Sequence, residues 1–265
     1  MEIVKNMKRT LYISLISQLY CWKSMAVYRT QFIFQILYSA IGPLVTYFFI
    51  SIIYTATAGI HGWSFYQLLF LSSLIGVVSP LVSYIITPAT VLRALRRGTL
   101  DTMLLRPYSA FTALMSNYGD PSSGLAAIDA SILTIYAGSH LSITVTGMIE
   151  FMFLLTIGII LLSIFSLTLV MLFYKLFRSG STFQSALNAA YNYGQYPLSI
   201  YGFPTTLLLT LIVPIGFATY IPAEIIIGAL NFLDFIVLSI VAILLMVILY
   251  KIINKKLDRY TSAMG

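Results

Sequence analysis

The sequence predicts an all-α integral membrane protein of six transmembrane helices, with an N-terminal interfacial amphipathic helix and a re-entrant hairpin between spans five and six. Three observations carry that prediction. Of 265 residues, 59% are hydrophobic and only 9% charged, against about 25% charged in soluble domains. The apolar residues come in runs of about 18 to 25, the length that crosses a hydrocarbon core of roughly 30 Å. The 15 Lys and Arg residues behind the net charge of +7 fall in four groups that flank those runs. Disordered chains are poor in apolar residues, which excludes that class. A nucleic-acid binder needs a solvated basic face beside base-reading elements, so no nucleic-acid partner is expected.

Residues 2–30 read as an interfacial helix. Ile3, Met7, Leu11, Leu15 and Leu19 recur every fourth residue, while Asn6, Lys8, Arg9, Ser17 and Ser24 fall largely elsewhere, the stripe of a helix lying on a membrane. Tyr20, Trp22 and Tyr28 are aromatics that favour headgroup depth. Ser14, Ser17, Gln18 and Lys23 interrupt the run, so the segment is expected to be retained rather than cleaved as a leader. Cys21, the single cysteine, can form no internal disulfide and reads as a packing residue.

Span one is expected over Phe32–Tyr54, kinked at Pro43 after Gly42. A short loop with His61 and Trp63 leads to span two, Tyr66–Ile86, which holds Pro80. Residues 87–120 carry four arginines and two prolines and form the largest solvated segment between spans. Span three covers 122–139, with Ser122, Ser123, Asp129 and Ser131 inside it; span four covers Met148–Tyr174 and ends at Lys175 and Arg178. The last span, Phe232–Tyr250, ends at Lys251, Lys255 and Lys256. Basic residues favour the cytoplasmic side. Every Lys and Arg then lies inside, as do both termini, and an even number of crossings separates Arg178 from Lys251. Residues 182–200 are taken as span five and 204–230, broken at Pro214, Gly216 and Pro222, as the external hairpin; the reverse assignment stays open. Such a break at membrane depth is tolerated where protein buries it. The whole chain, 1–265, reads as one transmembrane domain in a cell membrane.

Chemistry-bearing residues are few. No Gly-rich run ends in Gly-Lys-Ser/Thr, so no P-loop is present to hold a nucleotide, and no paired catalytic residues or metal set are read. His61 and His140 fall near external span ends and read as interface residues. Glu150 sits at headgroup level. Asp129 is a polar site within a span, and an acid there raises a second reading, an ion-coupled secondary transporter.

The segment 87–107 is the most informative. Pro88 opens a helix in which Val91, Leu92 and Leu95 form one face and Arg93, Arg96 and Arg97 another. Gly98 ends it. Thr99 is a plausible N-cap for a second short helix, with Leu100, Asp101, Met103, Leu104 and Leu105 before Arg106-Pro107 stops it. Attraction to anionic lipid needs only the charge; a paired helical unit with its own apolar face reads as a docking surface.

Arg97-Gly98-Thr99-Leu100-Asp101, with Leu104-Leu105-Arg106-Pro107, resembles the cytoplasmic loop of ABC-2 type exporter permeases. Tyr28-Arg29 ahead of span one, Tyr196-Pro197 with Tyr201, and Pro214 with Phe217, Ala218, Tyr220, Pro222 and Ala223 agree in order. The Pro-Ser-Ser start of span three departs from the pattern. The resemblance implies the ABC-2 exporter fold and a coupling helix between spans two and three. It also implies two copies of a separate ATP-binding subunit, which hold ATP and Mg²⁺, and a second permease, identical or a sister chain. This chain is then a transport subunit and not itself an enzyme, moving an amphiphilic, lipid-like or drug-like substrate.

Overall fold

The computed structural model describes residues 16, 19–20, 22–23, 25, 27–56, 60, 62–98, 111, 114, 119–120, 122–176 and 179–257. Most of the expected interfacial helix and the second short helix of the 87–107 segment lie outside them. Among the described residues the regular elements are all helical.

Helix α1 spans Arg29–Ala56 and contains Pro43. After a turn closed by Ile60 and Trp63, α2 runs over Phe65–Ile85, opened by a capping box between Ser64 and Gln67. Pro88 ends α2, because the residues ahead of a proline are pushed to extended backbone: Ile86 and Thr87 are both extended. The short α3, Pro88–Arg96, follows. Helix α4 covers Ser123–Gly138, α5 Val145–Phe173, and α6 Gly180–Asn192. Two 3₁₀ turns, Tyr193–Gln195 and Leu198–Tyr201, lead to α7, Phe203–Leu207, which widens into a π turn at Leu208–Ile212. Then come α8 (Ile215–Ala218), α9 (Tyr220–Ile226) and α10 (Phe232–Leu257).

Helices α2 and α5 occupy the centre. Helix α4 packs along α2, α10 along α5, and α1 against α2 and α4. Gly76 on α2 makes the first of these contacts close: a Cβ there would lie 3.1 Å from that of Ala130. Only 11% of the most apolar stretch of α1 or α10 is buried, against 61% for α5 and for α2 with α3. The outer pair therefore presents apolar surface to its surroundings, as lipid or a second membrane subunit requires.

Among the described residues, four helical stretches are long and apolar enough to cross a membrane: α1, α2 with α3, α5 and α10; a fifth is added if the bent segment 203–226 is one span. The expected crossing over 182–200 is not one continuous helix. Helix α6 has 13 residues, roughly 20 Å at helical rise. Pro197 then forbids its continuation, with Tyr196 extended before it. Residues 204–230 do not form a simple helix either: the pieces 203–212 and 215–226 meet at 76°. Val213 bonds back to the Leu208 carbonyl, and Pro214 has no N–H to carry the ladder on.

Candidate functional site

The basic end of the molecule is organised by α3. Its buried residues are Pro88, Val91, Leu92, Ala94 and Leu95. All but Pro88 join one apolar cluster with Ile164, Leu167, Val170 and Met171 of α5, Phe183 and Leu187 of α6, and Ile253 of α10. Leu114, from the return of the 87–120 segment, belongs to the same cluster, and Phe111 meets Tyr250 edge-on at 5.0 Å. Close approach of α6 depends on Gly180, since a Cβ there would stand 2.8 Å from the Ala89 carbonyl oxygen. Helix α3 is thus seated against α5 and α6, with Ile253 of α10 in the same cluster.

The opposite face of α3 is exposed and basic. Arg93, Arg96 and Arg97 are all exposed. Arg93 donates to the Thr90 hydroxyl at 3.1 Å. Arg96 donates from Nε and Nη2 to the carbonyl oxygen of Tyr174, each at 3.3 Å. Tyr174 is the C-cap of α5, where carbonyls lack helical donors and a cation is favoured. Arg96 therefore ties α3 to the end of a spanning helix. Gly98, at φ +67°, follows Arg97, a left-handed conformation that stops the helix cheaply only with glycine. Thr99, Leu100, Asp101, Leu104, Leu105, Arg106 and Pro107 lie outside the described residues.

Near this end, Tyr28 and Arg29 are exposed and mark the bend at which α1 begins. Upstream, Trp22 donates from its indole to the Tyr84 hydroxyl at 3.5 Å, and its ring fills the space beside Gly124. The N-terminal segment thereby touches the end of α2 and the start of α4. Asp120 fixes that start: its carboxylate accepts from the Ser122 N–H at 3.0 Å and the Ser122 hydroxyl at 2.6 Å. An Asp two residues ahead of a serine pair is a local capping signal in the sequence, and it places the helix start at Ser123.

Asp129 lies in the second turn of α4, half-buried, and accepts a hydrogen bond from the Ser39 hydroxyl of α1. The carboxylate thus finds a neutral partner on a neighbouring span. Glu150 stands half-buried near the start of α5, remote in the chain from that pair. At the same end as Glu150, His140 is exposed and stacks on Tyr66 at 4.1 Å. Among the described residues, no three of His, Cys, Asp and Glu gather as metal ligands do.

The bent segment packs against the middle and first half of α5. Ile215, Gly216, Phe217 and Ala218 are all buried; Phe217 joins Leu154 and Leu161 of α5 and Ala242 of α10, whereas Ile215 and Ala218 belong to the cluster around α2. Gly158 permits this: a Cβ at that position would lie 2.4 Å from the Phe217 carbonyl oxygen. Pro214 forms the corner, and Pro222 occupies the first turn of α9, where a missing N–H costs no helical bond. Tyr220 packs on Trp63 at 6.1 Å and is hydrogen-bonded to Glu224, one turn on. Glu224 is a half-buried carboxylate absent from the sequence-derived candidates. Its signal was available, as the sole acid between Glu150 and Asp234, four residues after a tyrosine.

The chain matches, over residues 40–264, the family described as ABC-2 family transporter protein. No curated protein and no solved structure matches it.

Proposed function

Because the chain belongs to the ABC-2 transporter family, we propose that it is the permease subunit of an ATP-driven exporter, coupled through α3 and the residues after it to a separate ATPase. One observation carries this reading: the short helix α3 packs against α5 and α6, in a cluster that also holds Ile253 of α10, with three arginines outward. Such a helix would transmit force, because a push on it bears on α5 and α6 together. Two ATPase subunits, holding ATP and Mg²⁺, would close on nucleotide binding and press on α3. Two permeases, this chain and an identical or sister chain, would enclose the path. In the plasma membrane, with six crossings and both termini cytoplasmic, the bent segment 203–226 would cap the path externally. The apolar walls suit an amphiphilic, lipid-like or drug-like cargo.

The test is co-purification from native membranes. Affinity-tagged wild-type chain should recover an ATP-binding subunit, and Asp101→Arg with Leu104→Asp should abolish the recovery without reducing the amount of permease. Recovery of no ATPase by the wild-type chain sinks the proposal. The ion-coupled alternative rests on Asp129, whose observed partner is the Ser39 hydroxyl; a hydrogen bond to serine does not by itself favour ion coupling.

A further inference from the structure

Helices α4 and α5 both pack on α2 without packing along each other, and the gap between them is a trough of about 380 Å³. Phe70, Leu74 and Val77 line it from α2, at the i, i+4 and i+7 spacing that shares one helix face. Helix α4 repeats that spacing from Ser131 to Gly138, and α5 from Met148 to Leu155. Each stripe covers two turns, so the trough is roughly 10 Å long and runs along the helices. Phe70, Leu74, Phe151 and Ile226 are buried on its inner side, whereas Ile135, Met148 and Met152 are exposed at its mouth. The mouth therefore opens sideways between α4 and α5, toward the hydrocarbon that surrounds a spanning helix such as α5.

The lining is almost wholly apolar and, among the described residues, holds no Lys, Arg, Asp, Glu or His. Its three hydroxyls are turned back to their own helix. Ser131 donates to the Ala127 carbonyl at 2.7 Å, Thr134 to that of Ala130 at 3.0 Å, and Ser139 to that of Tyr136 at 2.8 Å. Thr134 Oγ1 also meets Ser73 Oγ at 3.0 Å. A bound water needs about two to four polar partners, which this surface does not offer, and a polar head placed here would lose its hydrogen bonds without replacement. Just beyond Ser139, the Tyr66 ring stacks on His140 at 4.1 Å, and tyrosine favours headgroup depth.

We infer that this trough is a binding site for one acyl chain of a bilayer phospholipid, entering between α4 and α5 with its head at the level of Tyr66 and His140. A hydrocarbon chain asks for no hydrogen bond, and in a bilayer it already lies along the direction in which the trough runs. Leaving the bilayer for the trough removes no further apolar surface from water, so residence there rests on dispersion contacts. Three helices surround a chain in the trough, whereas the exposed faces of α1 and α10 offer it one side only. The flexible thioethers of Met148 and Met152 let the mouth fit the chain. The inference needs only that α5 and its neighbours cross the membrane, and it is independent of coupling to an ATPase.

The experiment uses the full chain in phosphatidylcholine nanodiscs that contain a trace of photoactivatable phosphatidylcholine, with a diazirine midway along one acyl chain. Crosslinks mapped by mass spectrometry should fall on residues 131–139 and 148–155 about tenfold more often than on 44–52 of α1 and 233–244 of α10, exposed apolar stretches in the same half of the membrane. Ser131→Phe puts a ring into the trough and gives up only a hydrogen bond within its own helix. It should bring labelling of 148–155 down to the level of α1 and α10, while Ser131→Ala, which leaves the trough open, should keep it, both variants unfolding at the wild-type temperature. A free fatty acid carrying the same diazirine should label the two stretches less than the phospholipid does. Even labelling of all four stretches in the wild-type chain would overturn the inference whatever the variants do. So would labelling indifferent to Ser131→Phe in a variant that unfolds like wild type, or stronger labelling by the free fatty acid. Enriched labelling without a recovered ATPase overturns the exporter reading alone, and a recovered ATPase with even labelling overturns the trough alone.

Discussion

Helix α3 and the bent segment 203–226 lie at opposite ends of the molecule, and each is a short helical unit beside longer spanning ones. Helix α3 follows the last residue of α2 and sits on the final turns of α5, near Val170 and Met171. The bent segment meets the first half of α5, near Leu154 and Gly158, and the aromatic ring of Trp63 just before α2. Helix α3 buries one stripe and exposes charge. The segment 215–226 buries nearly everything, with Ile215, Ala218 and Ala223 fully inaccessible. A two-faced helix can be moved from outside by a partner that grips its polar face. The first half of the bent segment is exposed at Phe203 and Ile212, so it is residues 215–226 alone that respond only to the helices holding them. On the proposed reading, α3 would receive the signal and the bent segment would close the far end.

Substitutions at the buried end should cost the most. Phe217→Ala removes a fully buried ring and should lower unfolding free energy by about 3–5 kcal/mol, read by denaturant unfolding in detergent micelles. Gly158→Val should cost about 1–3 kcal/mol, because its side chain meets the backbone of Phe217 and Ala218, which cannot rotate away. A negligible effect at both positions would mean that the bent segment is not seated on α5. At the basic end, Arg96→Gln removes the cation at the end of α5 and should cost only about 0.3–1 kcal/mol. Its larger consequence should be functional: ATPase stimulation by the permease should fall severalfold. Equal stability losses at the two ends would erase the contrast between them.

Much of this was legible in the sequence, for reasons that differ by region. Where length and charge agree, as at α1, α2, α5 and α10, the apolar runs and their basic flanks locate the helices. Pro88 and Gly98 mark both ends of α3, since each acts through its own backbone geometry. The stretch between Arg178 and Lys251 carries no basic residue, so sidedness has no signal there, and Pro197 and Pro214 divide it into pieces too short for length to decide. The start of α4 agrees with the expected 122 to one residue, and Asp120 holds the turn ahead of it by accepting from the Ser122 N–H and hydroxyl. The trough was illegible for another reason. Its stripes at Phe70–Val77, Ser131–Gly138 and Met148–Leu155 lie on three separate helices, and only packing turns them toward one another. Glu224 is the one acid of the bent segment, and its pairing with Tyr220 follows only once residues 220–226 are known to be helical.

The central claim, that α3 receives the stroke of a separate ATPase, is tested most directly by ATP hydrolysis in the reconstituted permease–ATPase complex. Arg93→Glu with Arg97→Glu reverses the exposed face of α3 and leaves its buried stripe untouched. The account predicts that the variant folds and inserts normally, while permease-dependent stimulation of ATP hydrolysis drops by about tenfold or more. Stimulation equal to wild type, with the variant correctly inserted, would contradict it.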